Sequence, residues 1–417
     1  MMINRRRFCE TILSAGAIGL APRLSEVGAE ASPPPQRDRQ PYDLLIREGT
    51  VIDPSQNLHA ELDVAIANGK IAEVAGNIPG SQAREVVSAA GRIVCPGLID
   101  IHAHVYESVG LQGLSPDSYY LARGVTTVVD AGSAGYTTIA GLRKYIAGSS
   151  RARVYALVDI GTFGMVGGIR GVLENMAHVQ PAETADAIRN NKPVAVGVKV
   201  RLSESVVGTE DLEVLRRTRE AAEGADVPMM VHVGDTHSPL RDILNRMRPG
   251  DVLTHYLHPD RHGVLDENGK VLPEVLEARQ RGILFDVGHG SSHFAFRVAE
   301  QCMQQGFHPD TVSSDVTTRT MNGPVFDTLT TLSKFIAIGM TAPEVLRTAT
   351  WNPARAFAYG FTLGTFRKGS EADVSILELR DGTFAFTDSH QETRSGRQKL
   401  FPIATFLSGK MYEPPRG

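Results

Sequence analysis

Short apolar runs recur through the middle of the chain, separated by stretches whose apolar residues keep helical spacing. The runs predict strands at Gly97–His102, Thr126–Asp130, Val154–Ile160, Val194–Val200, Pro228–His232, Val252–His255, Ile283–Val287 and Val312–Asp315. Helical spacing is clearest at Glu210–Gly224 and His293–Gly306. Near-continuous apolar strands suit a parallel sheet covered by helices. Strands that alternate with helical stretches in this way predict a (β/α)8 barrel over residues 96–361. In that fold the chemistry sits at the carboxyl ends of the strands.

The two ends of the chain read differently. Asp63–Ala67 and Lys70–Val74 flank Asn68-Gly69, the signature of a hairpin with a type I′ turn. Towards the carboxyl end, Ala372–Glu378 and Gly382–Phe386 predict strands joined across Asp381-Gly382, and Phe401–Leu407 predicts another. Residues 42–95 and 362–417 together predict one small β-sandwich domain built from both termini. The expected fold class is therefore α/β, a TIM-like barrel carrying a small β-sandwich.

Residues 1–31 are read as a targeting segment. Asn4-Arg5-Arg6-Arg7-Phe8 is similar to a twin-arginine (Tat) export signal. Thr11–Ala21 is too short to span a bilayer but suits the apolar region of a signal peptide. Ala29-Glu30-Ala31 offers a small-x-small cleavage site. The expectation is a periplasmic protein with no membrane anchor after cleavage. Composition adds limits. The formal net charge is −4 and the body has no basic stretch, which argues against a nucleic-acid partner. Three cysteines do not make a disulfide framework.

The candidate chemistry starts at His102-Ala103-His104. On a strand, Asp100, His102 and His104 share one face. Two neutral imidazoles side by side can hold one divalent metal. Lys199, His232, His255 and Asp315 then fall at the carboxyl ends of later predicted strands. The intervals from Lys199 to His232 and from His232 to His255 each fit one strand–helix unit. Any one of these residues alone reads equally well as a structural group. Together, in order and at strand ends, they point to a metal centre.

Pro96-Gly97-Leu98-Ile99-Asp100-Ile101-His102-Ala103-His104, the strand-end Lys199, the two later histidines and the late Asp315 resemble the amidohydrolase superfamily. The resemblance spans essentially the whole chain after the targeting segment. It implies two divalent metal ions, commonly Zn2+. It implies His102, His104 and Asp315 on the more buried metal and His232 and His255 on the other. Lys199 would be carboxylated and bridge the two, because a carbamate offers anionic oxygen where an ammonium cannot ligate. The implied reaction is hydrolysis of an ester or amide by a hydroxide held between the metals. Asp315 would take the proton and pass it to the leaving group.

Within that superfamily, dihydroorotases carry an Arg two residues after the second His and a His shortly after the late Asp. Here those places hold Tyr106 and Val316-Thr317-Thr318-Arg319. Gly197–Ser203, Asp286–Gly290 and Leu332–Phe335 are similar instead to the amidohydrolase/deacetylase branch, often labelled dihydroorotase-like. That branch implies deacetylation of a small acetylated α-hydroxy or α-amino acid. Arg201, two residues past Lys199, is the candidate for a substrate carboxylate; it reads equally as the partner of a rim acid. His289, between two glycines, is the candidate donor to substrate or oxyanion, with a structural role as the alternative. Tyr106 and Tyr136 are further candidates to line a pocket. Gly164–Gly171 reads as a mobile loop over the mouth, and Cys95 as a packing residue. An amidase for larger N-acyl amino acids, or a cyclic amidase, stays open. So does a metal-free structural protein, the non-enzyme reading. The expected partner is a small carboxylate-bearing molecule, and a homo-oligomer is left open.

Overall fold

The computed structural model describes residues 40–168, 170–360 and 362–413. The expected targeting segment lies outside the described residues. The amino-terminal part supplies β1 (Tyr42–Asp53), β2 (Leu58–Ala67), β3 (Lys70–Ala75), β4 (Ala83–Ser88) and β5 (Ile93–Pro96). Asn68 and Gly69 both have positive φ, 52° and 72°, so the β2–β3 turn is the expected one. The middle supplies β6 (Leu98–Ala103), β7 (Val125–Gly135), β8 (Arg153–Asp159), β9 (Ala195–Arg201), β10 (Met229–His232), β11 (Val252–Thr254) and β12 (Leu284–Asp286). The carboxyl end supplies β13 (Val374–Thr387), β14 (Thr393–Leu407) and β15 (Lys410–Met411).

The middle strands form one seven-stranded sheet in sequential order, β6 to β12, and every pairing is parallel. A sequential parallel order requires crossovers, which the intervening helices provide. They are α1 (Ile139–Leu142), α2 (Pro181–Asn190), α3 (Glu204–Val207), α4 (Asp211–Ala225), α5 (Leu240–Leu244), α6 (Pro273–Gln280) and α7 (Phe296–Gln304); α8 (Thr328–Ala337) and α9 (Ala342–Ala349) follow. None of the described helices is long and apolar enough to cross a membrane. One apolar cluster gathers Ile99, Val129, Leu157, Val196, Met230 and Val252 from successive strands around Phe357 and Tyr359. Both faces of these strands are therefore buried, as their near-continuous apolar sequence requires.

Two expectations need correction. Thr311–Asp315 is not a strand; it makes one isolated parallel bridge, Asp286 to Thr311. Its backbone is nevertheless bonded on one side, since Val287, His289 and Gly290 N–H donate to Thr311, Ser313 and Ser314 carbonyls. On the other side Asp315 N–H donates to His102 O at 2.8 Å, and the Ser314 hydroxyl to Asp100 Oδ2 at 2.6 Å. Carboxylate bonds replace the second ladder, so no strand forms. The Asp381-Gly382 turn is also absent. β13 runs straight through, and the extra residues are absorbed as a register shift against β14 between Asp381 and Phe384.

Strands from both ends build one eight-stranded sheet, in the order β15-β14-β13-β5-β1-β2-β3 with β4 on β1. Arg153 fastens it to the parallel sheet. From β8 its guanidinium donates to Asp373 (2.9 and 3.2 Å), Glu371 (3.1 Å) and Ser408 (2.9 Å). Both acids are nearly buried, and removing the cation leaves Asp373 without its charged partner and Glu371 with Lys70 alone. Arg153→Ala is expected to destabilise the fold by about 3 kcal/mol. Urea unfolding of the variant beside wild type checks it, and an unchanged midpoint would refute the tie.

Candidate metal centre

His102 lies in β6, His104 just past it, Lys199 in β9 and His232 at the last residue of β10. His255 follows β11 directly, and Asp315 ends the bonded segment after β12. The strand ends bring all of these groups, with Arg201, to the wall of one cavity of about 570 Å³. Ligand atoms of His102, His255 and Asp315 lie within 4.8 Å of one another, close enough for a single ion. His104 Nε2 stands 3.1 Å from Asp315 Oδ1, and Lys199 Nζ 3.0 Å from His102 Nε2.

Each histidine is held from behind. Thr254 donates its one hydroxyl proton to Asp286 Oδ2 at 2.7 Å, so it accepts from His102 Nδ1 at 2.9 Å. That assigns the tautomer and leaves the Nε2 lone pair facing the cavity. His255 Nδ1 donates to Gly288 O at 2.5 Å, and its buried Nε2 has no partner. Ser203 donates to Gly234 O at 2.7 Å and accepts from His232 Nε2 at 3.1 Å, so His232 offers Nδ1. His104 Nδ1 is bonded to Ser133 Oγ at 2.9 Å. Pinned back nitrogens with front nitrogens turned into one cavity are what a divalent metal requires, and the donor set fits one.

Burial sets the protonation states. It holds His102, His232 and His255 well below the usual histidine range, as neutral ligands. It brings Lys199 down to about 7. Close packing matters as much. A Cβ on Gly132 would lie 2.8 Å from Lys199 Cγ, and one on Gly290 2.4 Å from Asp315 Oδ2. Only glycine leaves room for these two ligand side chains.

Arg201 is buried on the cavity wall, with Nε 3.6 Å from Asp159 Oδ2. Arg201 thus pairs with an acid, as one of its two readings expects, while also lining the cavity. His289 does not line the cavity. Its Nε2 accepts from Lys334 Nζ at 2.6 Å, Nδ1 donates to Gly290 O at 3.0 Å, and its ring lies against Phe294. The substrate-donor role expected of it is corrected to the structural alternative. Tyr106 is also outside the cavity lining, donating to Thr138 O at 3.2 Å. Tyr136 is bonded to Thr162 Oγ1 at 3.0 Å, likewise outside it. Cys95 is fully buried. The imidazole that does face the cavity here is His293, which sequence reasoning placed at a helix start. Its one signal was a second histidine four residues after His289.

The profile of the amidohydrolase family matches residues 93–411. A deacetylase of Enterococcus faecalis is 33% identical over 375 residues, covering 89% of this chain and 99% of that protein. A crystal structure of an adenine deaminase superposes with a TM-score of 0.83 at 33% identity, covering 89% of this chain and all of that one. A crystal structure of a dihydroorotase gives a TM-score of 0.78 at 27% identity, covering 88% and 98%.

Two outcomes follow from the geometry. Thr254→Val removes the acceptor behind His102, and metal affinity is expected to fall about 10- to 100-fold with the fold intact. Competition with a chelating dye reads this; unchanged affinity would refute the relay. The second concerns acid. His258 is held down to about 3 and His293 to about 4, mainly by burial, and four further histidines lie well below their usual range. The unfolded chain therefore takes up protons below about pH 6.5 that the folded chain refuses. Asp286, raised by burial to about 6, opposes this, and so towards lower pH do Asp100, Asp159, Asp251, Asp260 and Asp310, which burial also raises. The metal-free protein should lose stability over the first part of the acid range, as pH falls from about 6.5 towards 5.5, where the histidines dominate. A urea midpoint that rises over that interval would contradict it.

Proposed function

We propose, from the premise that this chain belongs to the amidohydrolase family, that it is a binuclear hydrolase removing an acetyl group from a small carboxylic acid. It is a metal-dependent hydrolase, as its family and its hydrolase-named relatives agree. The observation that carries the finer reading is Lys199 and Arg201 on one strand, both opening into the cavity that holds the His102, His255 and Asp315 cluster.

On this reading the parallel strands and the Thr311–Asp315 segment close a (β/α)8 barrel, and the eight-stranded sheet is the β-sandwich. Hydrogen bonds from that segment to both β6 and the end of β12 support closure. Lys199, carboxylated, would join His102, His104, His232, His255 and Asp315 in holding two divalent ions, of which zinc is the expected kind. Its buried amine, brought down to about 7, is substantially neutral at physiological pH, and carbamate formation needs the neutral amine. When bound, the metals supply an activated water and polarise the scissile carbonyl.

The chain's own groups do the rest. Arg201 holds the substrate carboxylate through its planar fork, with Asp159 fixing the guanidinium. Asp315 accepts a proton from the attacking water and returns it to the leaving oxygen or nitrogen. The names of similar proteins divide among deacetylase, adenine deaminase and dihydroorotase. Tyr106 favours the first over the last. It stands where a dihydroorotase places an arginine, and it is turned out of the cavity. The amino-terminal segment is read as a twin-arginine signal that delivers the enzyme to the periplasm.

The test is a panel of O-acetyl and N-acetyl α-substituted carboxylic acids of both hands, beside dihydroorotate, adenine and bulkier N-acyl amino acids. Selective cleavage of one hand of an acetylated acid is expected. Turnover confined to dihydroorotate, adenine or bulky amides would overturn the acetyl reading. Asp315→Asn should keep its metal and lose about 100- to 10,000-fold in turnover. Near-normal turnover would remove Asp315 from proton transfer.

A further inference from the structure

His293 lies on the cavity wall, where its ring stacks on His255 (centroids 4.1 Å apart, 28°) and meets His232 edge-on at 4.7 Å. Its Nδ1 is sealed from solvent and has no partner. A buried polar atom left unpaired is costly, and it calls for a group that enters from the cavity.

That group is not a metal. The four histidines at the strand ends share one construction, a back nitrogen pinned by a hydroxyl or carbonyl and a front nitrogen aimed inward. His293 lacks it. Its Nε2 has only Ser292 Oγ at 3.5 Å, too long to fix a tautomer. Gly290 locates the free atom. A Cβ there would lie 2.4 Å from Asp315 Oδ2 and 3.2 Å from His293 Nδ1. The carboxylate and the imidazole thus border the same space beside the metal centre.

We propose that His293 is a substrate-contacting residue, hydrogen-bonding through Nδ1 to the polar atoms at the reacting acyl group. This rests on the hydrolase reading above, and it fills the role that sequence spacing suggested for His289.

The experiment compares metal-loaded wild type with His293→Ala and His293→Gln in three readouts. These are metal content by mass spectrometry, kcat and KM on the best acetylated acid of the panel, and the Kd of methylphosphonate by calorimetry. Methylphosphonate is a tetrahedral anion with the shape of a hydrated acetyl group. His293→Ala should keep full metal content, lose about 10- to 100-fold in kcat/KM and bind methylphosphonate more weakly by a similar factor. His293→Gln, which keeps a hydrogen-bonding amide, should recover part of both. Loss of metal in His293→Ala would overturn the proposal by making His293 a ligand. Unchanged kcat/KM and Kd would overturn it outright. If wild type hydrolyses nothing in the panel, the acetyl reading falls alone, and the methylphosphonate comparison still decides His293.

Discussion

Two carboxylates sealed from water, Asp100 and Asp286, draw the hydroxyls and backbone of three neighbouring chain segments onto themselves. Asp286 accepts from Thr254, Thr311 and Ser313; Asp100 accepts from Ser314, Thr328 and the His102 backbone N–H. Burial makes these charges expensive and pushes both carboxyls upward, Asp286 to about 6. The hydroxyls answer that cost, since bonds to a charged acceptor contribute about 1.5–3 kcal/mol each. The sequence Thr311-Val312-Ser313-Ser314 makes sense in this light: two hydroxyls serve Asp286 and the next one Asp100. Asp315 is thereby delivered to the cavity, and through Thr254 the same anchor fixes the tautomer of His102. Fold and site therefore share one hydrogen-bond network.

The backbone is strained where the ligands turn inward. His255 (φ 73°) and Asp315 (φ 46°) are left-handed although neither is glycine. That conformation costs about 1–2 kcal/mol per residue and persists only where surrounding contacts over-determine it. Here they do. His255 N–H donates to Asp286 O, and its ring to Gly288 O; Asp315 N–H donates to His102 O. Gly288 and Gly290 take positive φ beside them without penalty and leave the space those side chains occupy. Rigid placement of ligands, rather than a loop that forms around the ion, follows from this arrangement.

What sequence could reach was whatever strand periodicity controls. Each of His102, His104, Lys199, His232, His255 and Asp315 sits at the end of an apolar run, and the structure brings all of them to one cavity. The type I′ hairpin was legible because Asn-Gly dictates its own dihedrals. Reading failed where a distant partner decides. Thr311–Asp315 has the composition of a strand, but Asp100, more than 200 residues earlier, takes the bonds a ladder would need. His289 was singled out by its place between two glycines; Lys334, on α8, turns it away from the cavity by bonding it from behind. Asp381-Gly382 carries a turn signature, yet β14 offers a long enough partner for the chain to run through as a bulge.

Desolvation prepares both kinds of nitrogen in the centre. In water a lysine is an ammonium and histidines are partly charged; in this cavity burial favours the neutral amine and the neutral imidazoles. The same step creates an imbalance. Among the groups proposed to hold metal, Asp315 is the one with a native negative charge, and Arg170, Arg201 and Arg319 line the cavity around it. Two divalent ions in such a setting would repel each other with little to offset them. On the proposed reading, an anionic carbamate at Lys199 would reduce that deficit from inside, and a substrate carboxylate would reduce it from the cavity side. On that reading the shortage of fixed negative charge among the ligands would favour an acidic substrate over a neutral one, independently of which acyl group it carries.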